Sequence, residues 1–164
     1  MLNARKGMPI IQRRVKEILL YHQEEKDLLL SQLDQENRKY REQKERLYAS
    51  VGLQGISYDQ LKVQATKEND AALINMLSNL EWLKSSYEEI TRDLDRKLKE
   101  IQMVRQQILL LPVNSRNVLL ALYYPKTTYD AAAKMLYVDK STVFRWRVEA
   151  FSRLCEEIWK KNLM

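Results

Sequence analysis

Lys140, Ser141, Thr142 and Arg145 follow directly on Asp139, a residue type that favours the position just before a helix. On a helix capped there, the four occupy the first two turns. Arg bonds guanine with two parallel hydrogen bonds, Lys reaches guanine or a phosphate, and Ser and Thr bond either a base edge or a phosphate. Upstream, Lys126, Thr128 and Lys134 carry the chemistry of phosphate contacts that set register. Arg147 lies nearer the apolar side of the same helix and is expected to support the backbone contacts. Ordinary surface charge on a small helical bundle is the plain alternative.

Other chemistry is scarce. His22 is the sole histidine and Cys155 the sole cysteine, so neither a metal cluster nor an internal disulfide is expected. Cys155 falls on an apolar helix face, where packing explains it better than nucleophilic work. No glycine-rich phosphate loop is present, and the many carboxylates alternate with lysines at helical spacing. Neither a cofactor nor an enzymatic activity is expected.

The chain has 164 residues, 30% of them charged, with three glycines and three prolines. That is the composition of long helices. The net charge is +6, and residues 112–164 hold 9 basic against 5 acidic side chains. A basic C-terminal stretch suits a polyanion, because Lys and Arg that neutralise phosphates release counterions. The opening residues lack a continuous apolar core, and no run approaches the ~18 apolar residues of a membrane span. The expectation is a soluble, cytoplasmic protein with no membrane partner.

Three segments must position the basic stretch. From Pro9, read as lying in the first turn, to about Tyr48, a stripe of Val15, Leu19, His22, Leu29, Leu33, Tyr40 and Leu47 predicts a helix of about forty residues, roughly 60 Å long. Two glycines within Ser50–Asp59 mark an elbow, which extends over about residues 50–66, and Thr66 is read as the cap of the next helix, with Asn69 and Asp70 in its first turn. From about Lys67 to Leu111 the heptads are regular. Leu73, Leu80, Tyr87, Leu94, Ile101 and Ile108 stand seven apart, and Met76, Leu83, Ile90, Lys97, Val104 and Leu111 follow each by three. Such a seam predicts a coiled coil. An antiparallel hairpin with the first helix is the preferred pairing, and an intermolecular one, making a homo-oligomer, is the competitor.

After Pro112 three shorter helices are predicted: Ser115–Tyr124 capped by Asn114 or Ser115, a second capped by Thr128, and a last one from Asp139 to about Lys161. The last carries two apolar stripes. Val143, Trp146, Ala150, Leu154 and Ile158 form one, and Phe144, Val148, Phe151, Cys155 and Trp159 the other. A free-standing module needs only the first. The second requires the coiled coil, another subunit or transcription machinery as a neighbour. The fold class is therefore all-α: a long helical hairpin over 1–111, then a three-helix domain with a helix-turn-helix over 112–164.

The segment from L-P-V-N-S-R-N-V-L-L-A-L-Y-Y through T-Y-D-A-A-A-K-M-L-Y-V-D-K-S-T-V-F-R-W-R-V-E-A-F resembles region four of bacterial sigma factors. More closely, it is similar to the C-terminal half of the ArpU and RinA families of phage late-gene transcriptional regulators, with S-T-V-F-R-W-R and Ala150 as the strongest part. The stretch Gly55–Thr66 also resembles a motif that precedes the central helix in those families. The resemblance implies a sequence-specific activator that binds promoter or operator duplex DNA with host RNA polymerase, in the cytoplasm of a Gram-positive bacterial host. It places the DNA contacts at Thr128 and along Lys140–Arg145. One departure is Tyr137, where such turns often hold a left-handed glycine; the cost is about 1 kcal/mol or slightly more, and a variant turn geometry stays open. Two other readings remain. One is a packaging protein of the small-terminase kind, whose DNA module usually comes first. The other is a coiled-coil scaffold that never touches DNA.

Overall fold

The computed structural model describes residues 4–50, 52, 56–68 and 71–164. Over these the protein is all-α, with helices α1 (Ala4–Ser50), α2 (Tyr58–Glu68), α3 (Ala71–Leu109), α4 (Val113–Tyr123), α5 (Tyr129–Leu136) and α6 (Lys140–Lys160). No described helix is long and apolar enough to cross a membrane. The chain divides into two compact units, neither of which coincides with a cut at Pro112. One joins α1 up to Asp27 with Leu98–Met164, and the other is Leu28–Lys97.

In the second unit the ends of α1 and α3 enclose a core of Tyr48, Leu61, Leu73, Met76 and Leu80. Leu61 comes from α2, which the glycine-based elbow concealed. A reciprocal cap starts that helix: Ser57 Oγ accepts from the Gln60 amide at 3.3 Å, while Gln60 Oε1 accepts from the Ser57 amide at 3.1 Å. This is a capping box, and S-Y-D-Q was its legible sign. Thr66 is consequently an interior residue of α2 rather than a cap. Gly55, Asn69 and Asp70 lie outside the described residues. Tyr58 ties α2 to α3 by donating to Glu81 at 2.6 Å.

Further along the same unit, Tyr40 of α1 stacks on Tyr87 of α3 with ring centroids 4.3 Å apart, and the Tyr87 hydroxyl donates to Asn37 at 2.5 Å. A heptad position filled by Tyr is thus satisfied through both its ring and its hydroxyl. Leu73, Leu80, Leu83 and Leu94 are buried as the heptads require, but Ile90 is 40% exposed. Its neighbours explain the change: Tyr87 turns the seam toward a ring stack. The polar Lys97 is accommodated at the edge, 3.1 Å from Asp93.

The first unit contains the remaining seam residues, Ile101, Val104 and Ile108, all buried, as are Ile11, Val15, Ile18 and Leu19 of α1. Arg14 of α1 bonds Glu25 at 2.7 Å and Glu100 of α3 at 3.0 Å. Burial opposes its charge, but these carboxylates outweigh it and hold the guanidinium pKa above its ordinary value. Two boundaries differ from the sequence reading. Pro9 is the sixth residue of α1 rather than part of its first turn. Within this earlier turn Gly7 lies against the Trp159 ring of α6: a Cβ there would come within 2.5 Å of it. Helix α4 begins at Val113 with Pro112 in the cap position, so Asn114 and Ser115 are helical, and Ser115 is buried.

Removing the Ser57 hydroxyl in Ser57→Ala should lower stability by about 1 kcal/mol. Leu61→Ala, which empties a fully buried site, should cost about 2–5 kcal/mol. Chemical denaturation of both variants, followed by amide exchange in α2, measures this. Equal stability of Leu61→Ala and wild type would refute a structural role for α2.

Candidate nucleic-acid interface

Helices α4, α5 and α6 pack against one another, and each junction is fixed by identifiable bonds. Between α4 and α5, Thr127 donates its hydroxyl to Ala121 O at 2.6 Å and its amide to Leu122 O at 2.8 Å. Thr128 then caps α5, its Oγ1 accepting from the Ala131 amide at 3.2 Å. The hydroxyl proton of Thr128 remains available to an outside acceptor, and the residue is exposed. Small Ala132 and Ala133 are buried and let α5 approach its neighbours closely.

The turn after α5 has a left-handed residue, and it is Tyr137 itself, at φ 56 and ψ 42. Val138 N donates to Ala133 O at 3.1 Å and Tyr137 N points to Lys134 O at 3.4 Å. This is the Schellman pattern, with tyrosine where glycine is easiest. The variant geometry left open by the sequence is therefore not adopted; the usual turn is formed and the side chain bears the strain. The ring gains little in return, being 95% exposed. A second such ending closes α6, where Asn162 at φ 51 takes the left-handed position.

Asp139 occupies the cap position of α6, yet its side chain makes no capping hydrogen bond. The first two turns of α6 expose Lys140, Ser141 and Arg145, while Thr142 is half-buried. Lys140 Nζ is 3.2 Å from Asp130 of α5, with both side chains about two-thirds exposed (63% and 67%). Pairs of that exposure contribute little and exchange readily for another anion. Lys134, Lys140 and Thr142 line one shallow concavity together with Asp130, Tyr137 and Asp139. Arg145 forms no ion pair among the described residues.

Two sequence candidates sit elsewhere. Arg147 is half-buried and donates from Nε to the Tyr123 hydroxyl at 3.1 Å, so it braces α6 on α4 and does not share the exposed face of Arg145. Lys126 is exposed but lies with Nζ 5.4 Å from the centre of the Tyr21 ring of α1, a cation–π geometry. Residues that the sequence reading passed over hold the module in place. Tyr123 accepts from Arg147 at its hydroxyl and from His22 Nε2 at its carbonyl, 2.7 Å away. A carbonyl only accepts, so Nε2 carries a proton. The His22 ring stacks on Tyr124 at 4.1 Å. Y-Y before proline was the visible signal, but its partner stands a hundred residues away.

The two apolar stripes of α6 are treated differently. Val143, Ala150, Leu154 and Ile158 of the first are buried, with Trp146 half-buried. Of the second, Cys155 is buried and Trp159 lies on Gly7, whereas Phe144 and Val148 remain exposed. Comparison of the chain with protein-family models, curated proteins and solved structures returns no match.

Tyr137→Gly should raise stability by about 1 kcal/mol, because it removes the left-handed cost and loses almost no buried surface. Urea titration reads this directly; a drop in stability would mean the exposed ring is held by contacts. Burial pushes the Cys155 thiol up to about 12. Native protein should therefore resist thiol-disulfide reagents at pH 8 and react at a normal rate only when unfolded. Rapid labelling of the native chain would contradict a closed α6 interface.

Proposed function

We propose that the protein is a sequence-specific DNA-binding transcriptional regulator that reads duplex DNA with the first two turns of α6. The observation that carries this reading is the outward face bearing Ser141 and Arg145, with Lys134 and Lys140 at its leading edge and no acid paired to Arg145 among the described residues. A helix entering the major groove uses those turns to reach base edges, while the preceding helix crosses the backbone. Thr128 and Lys134, at the two ends of α5, then serve as phosphate contacts. Lys126 can join them by leaving the Tyr21 ring. Arg147 acts by keeping α6 in place.

The resemblance to ArpU, RinA and sigma region four extends the proposal to activation of phage late genes together with host RNA polymerase. Packing supports a rigid reading head: Val143 is buried and Arg147 bonds Tyr123, so the exposed face of the N-terminal half of α6 meets a ligand with little ordering cost.

Fluorescence anisotropy on duplexes selected from the source genome tests the reading. Binding should weaken steeply with added salt, each phosphate contact contributing about 0.9 to the log–log slope. Arg145→Ala should cost about 1–3 kcal/mol of affinity for the best duplex and narrow its margin over unrelated sequence. Arg147→Ala should instead lower protein stability. An Arg145→Ala protein that binds and discriminates as wild type does would sink the assignment of α6 as the reading helix.

A further inference from the structure

Phe144 and Val148 stay largely in solvent although both are apolar. They are 57% and 47% exposed, one helical turn apart on α6. Taking 100° per residue, positions 141, 144, 145, 148 and 152 fall within an arc of about 100°. All five are exposed. Within the arc Phe144 and Val148 lie to one side, and Ser141, Ser152 and Arg145 follow on the other. Tyr129 of α5 buttresses one edge, its ring centroid 6.2 Å from that of Phe144 at a 41° tilt.

We propose that Phe144 and Val148 read the 5-methyl groups of thymine, beside the base contact of Arg145. The proposal rests on the DNA-binding reading and adds a base preference to it. The thymine methyl is the one apolar feature on the major-groove edge of B-DNA, and apolar side chains recognise it by contact. Charge decides the occupant. The patch is two side chains wide, with Ser141, Ser152 and Arg145 along one side and Lys140 just beyond the other. A protein interface needs a larger apolar core than that. A polyanion with isolated methyl groups fits both the size and the frame. One helical turn is about 5.4 Å, between one and two base-pair steps of about 3.4 Å. The preferred duplex should therefore carry thymine within a step or two of the guanine taken by Arg145.

The test uses the full chain. Tight duplexes are selected from a random-sequence library, and each thymine is then replaced singly by deoxyuracil, which deletes the methyl group alone. Wild-type affinity should fall about fourfold for each contacted methyl, at one to three positions. Phe144→Ala or Val148→Ala should already have lost that increment and show no further fall at the matching position. Both side chains are exposed, so melting temperatures of the variants should match wild type. Unchanged affinity on every uracil substitution overturns the proposal, as does an equal loss in wild type and both variants. So does a Phe144→Ala chain that keeps its DNA affinity and loses a measured contact with RNA polymerase, which would make the patch a protein-docking surface. Tight, Arg145-dependent binding without a methyl effect removes this proposal alone. Failure to enrich any duplex removes the DNA-binding reading with it.

Discussion

Burial of the C-terminal half of α6 is the constraint from which the first unit is built. The helix has 21 residues, or about 31 Å of length, and its apolar residues cover two adjacent stripes. Two short helices cannot enclose both. Ala150, Leu154 and Ile158 are buried along one stripe, and on the other Cys155 is buried and Trp159 lies against Gly7 near the start of α1. Gly7 is where that contact is tightest, because only a residue without a Cβ lets the indole lie against the α1 backbone. Toward its N-terminus α6 is held by buried Val143 and by the Arg147–Tyr123 bond, and exposes Ser141, Arg145 and the weakly paired Lys140 on its outer face.

Aromatic and polar contacts then define the docking of α4, which a greasy seam alone leaves slack. Tyr123 works at two points, taking a hydrogen bond from Arg147 on its hydroxyl and one from His22 on its carbonyl. The next residue, Tyr124, lies between the His22 ring at 4.1 Å and the Arg105 guanidinium at 5.8 Å. Burial pushes the Tyr124 hydroxyl up to about 12, against a smaller lowering by Arg105, so it stays neutral through the physiological range. Arg147 is likewise kept charged: burial opposes its ionisation, but the bond to Tyr123 raises its pKa above the ordinary value. Such directional contacts give a unique register where methyl-to-methyl packing tolerates slippage.

What the sequence disclosed follows the range over which each interaction acts. Period-seven leucines and the Thr128 cap depend on residues a few positions apart, and both stand where the spacing placed them. Helix α2 was hidden because two glycines outweighed a four-residue capping signal, although Ser57 and Gln60 were in view. Ile90 shows the limit of periodicity: a heptad position names a direction, and the ring stack at Tyr87 takes precedence over it. Helix periodicity already turned Arg147 toward the apolar side, but its partner Tyr123 was out of local reach. Lys126 was unreadable for the same reason, because its contact with Tyr21 is made across the chain.

Tyr137 brings the energetic and chemical sides together. Left-handed backbone costs a residue with a Cβ about 1–2 kcal/mol, and natural turns avoid that cost with glycine. Here the cost is retained by a side chain that is almost entirely in solvent, so packing inside the chain does not offset it. The ring stands in the same concavity as Lys134 and Lys140, directly before the first turns of α6. The strain therefore has no compensation among the described residues, at the edge of a concavity that Asp130 and Asp139 share with the two lysines. A chain optimised for folding alone would carry glycine at this position.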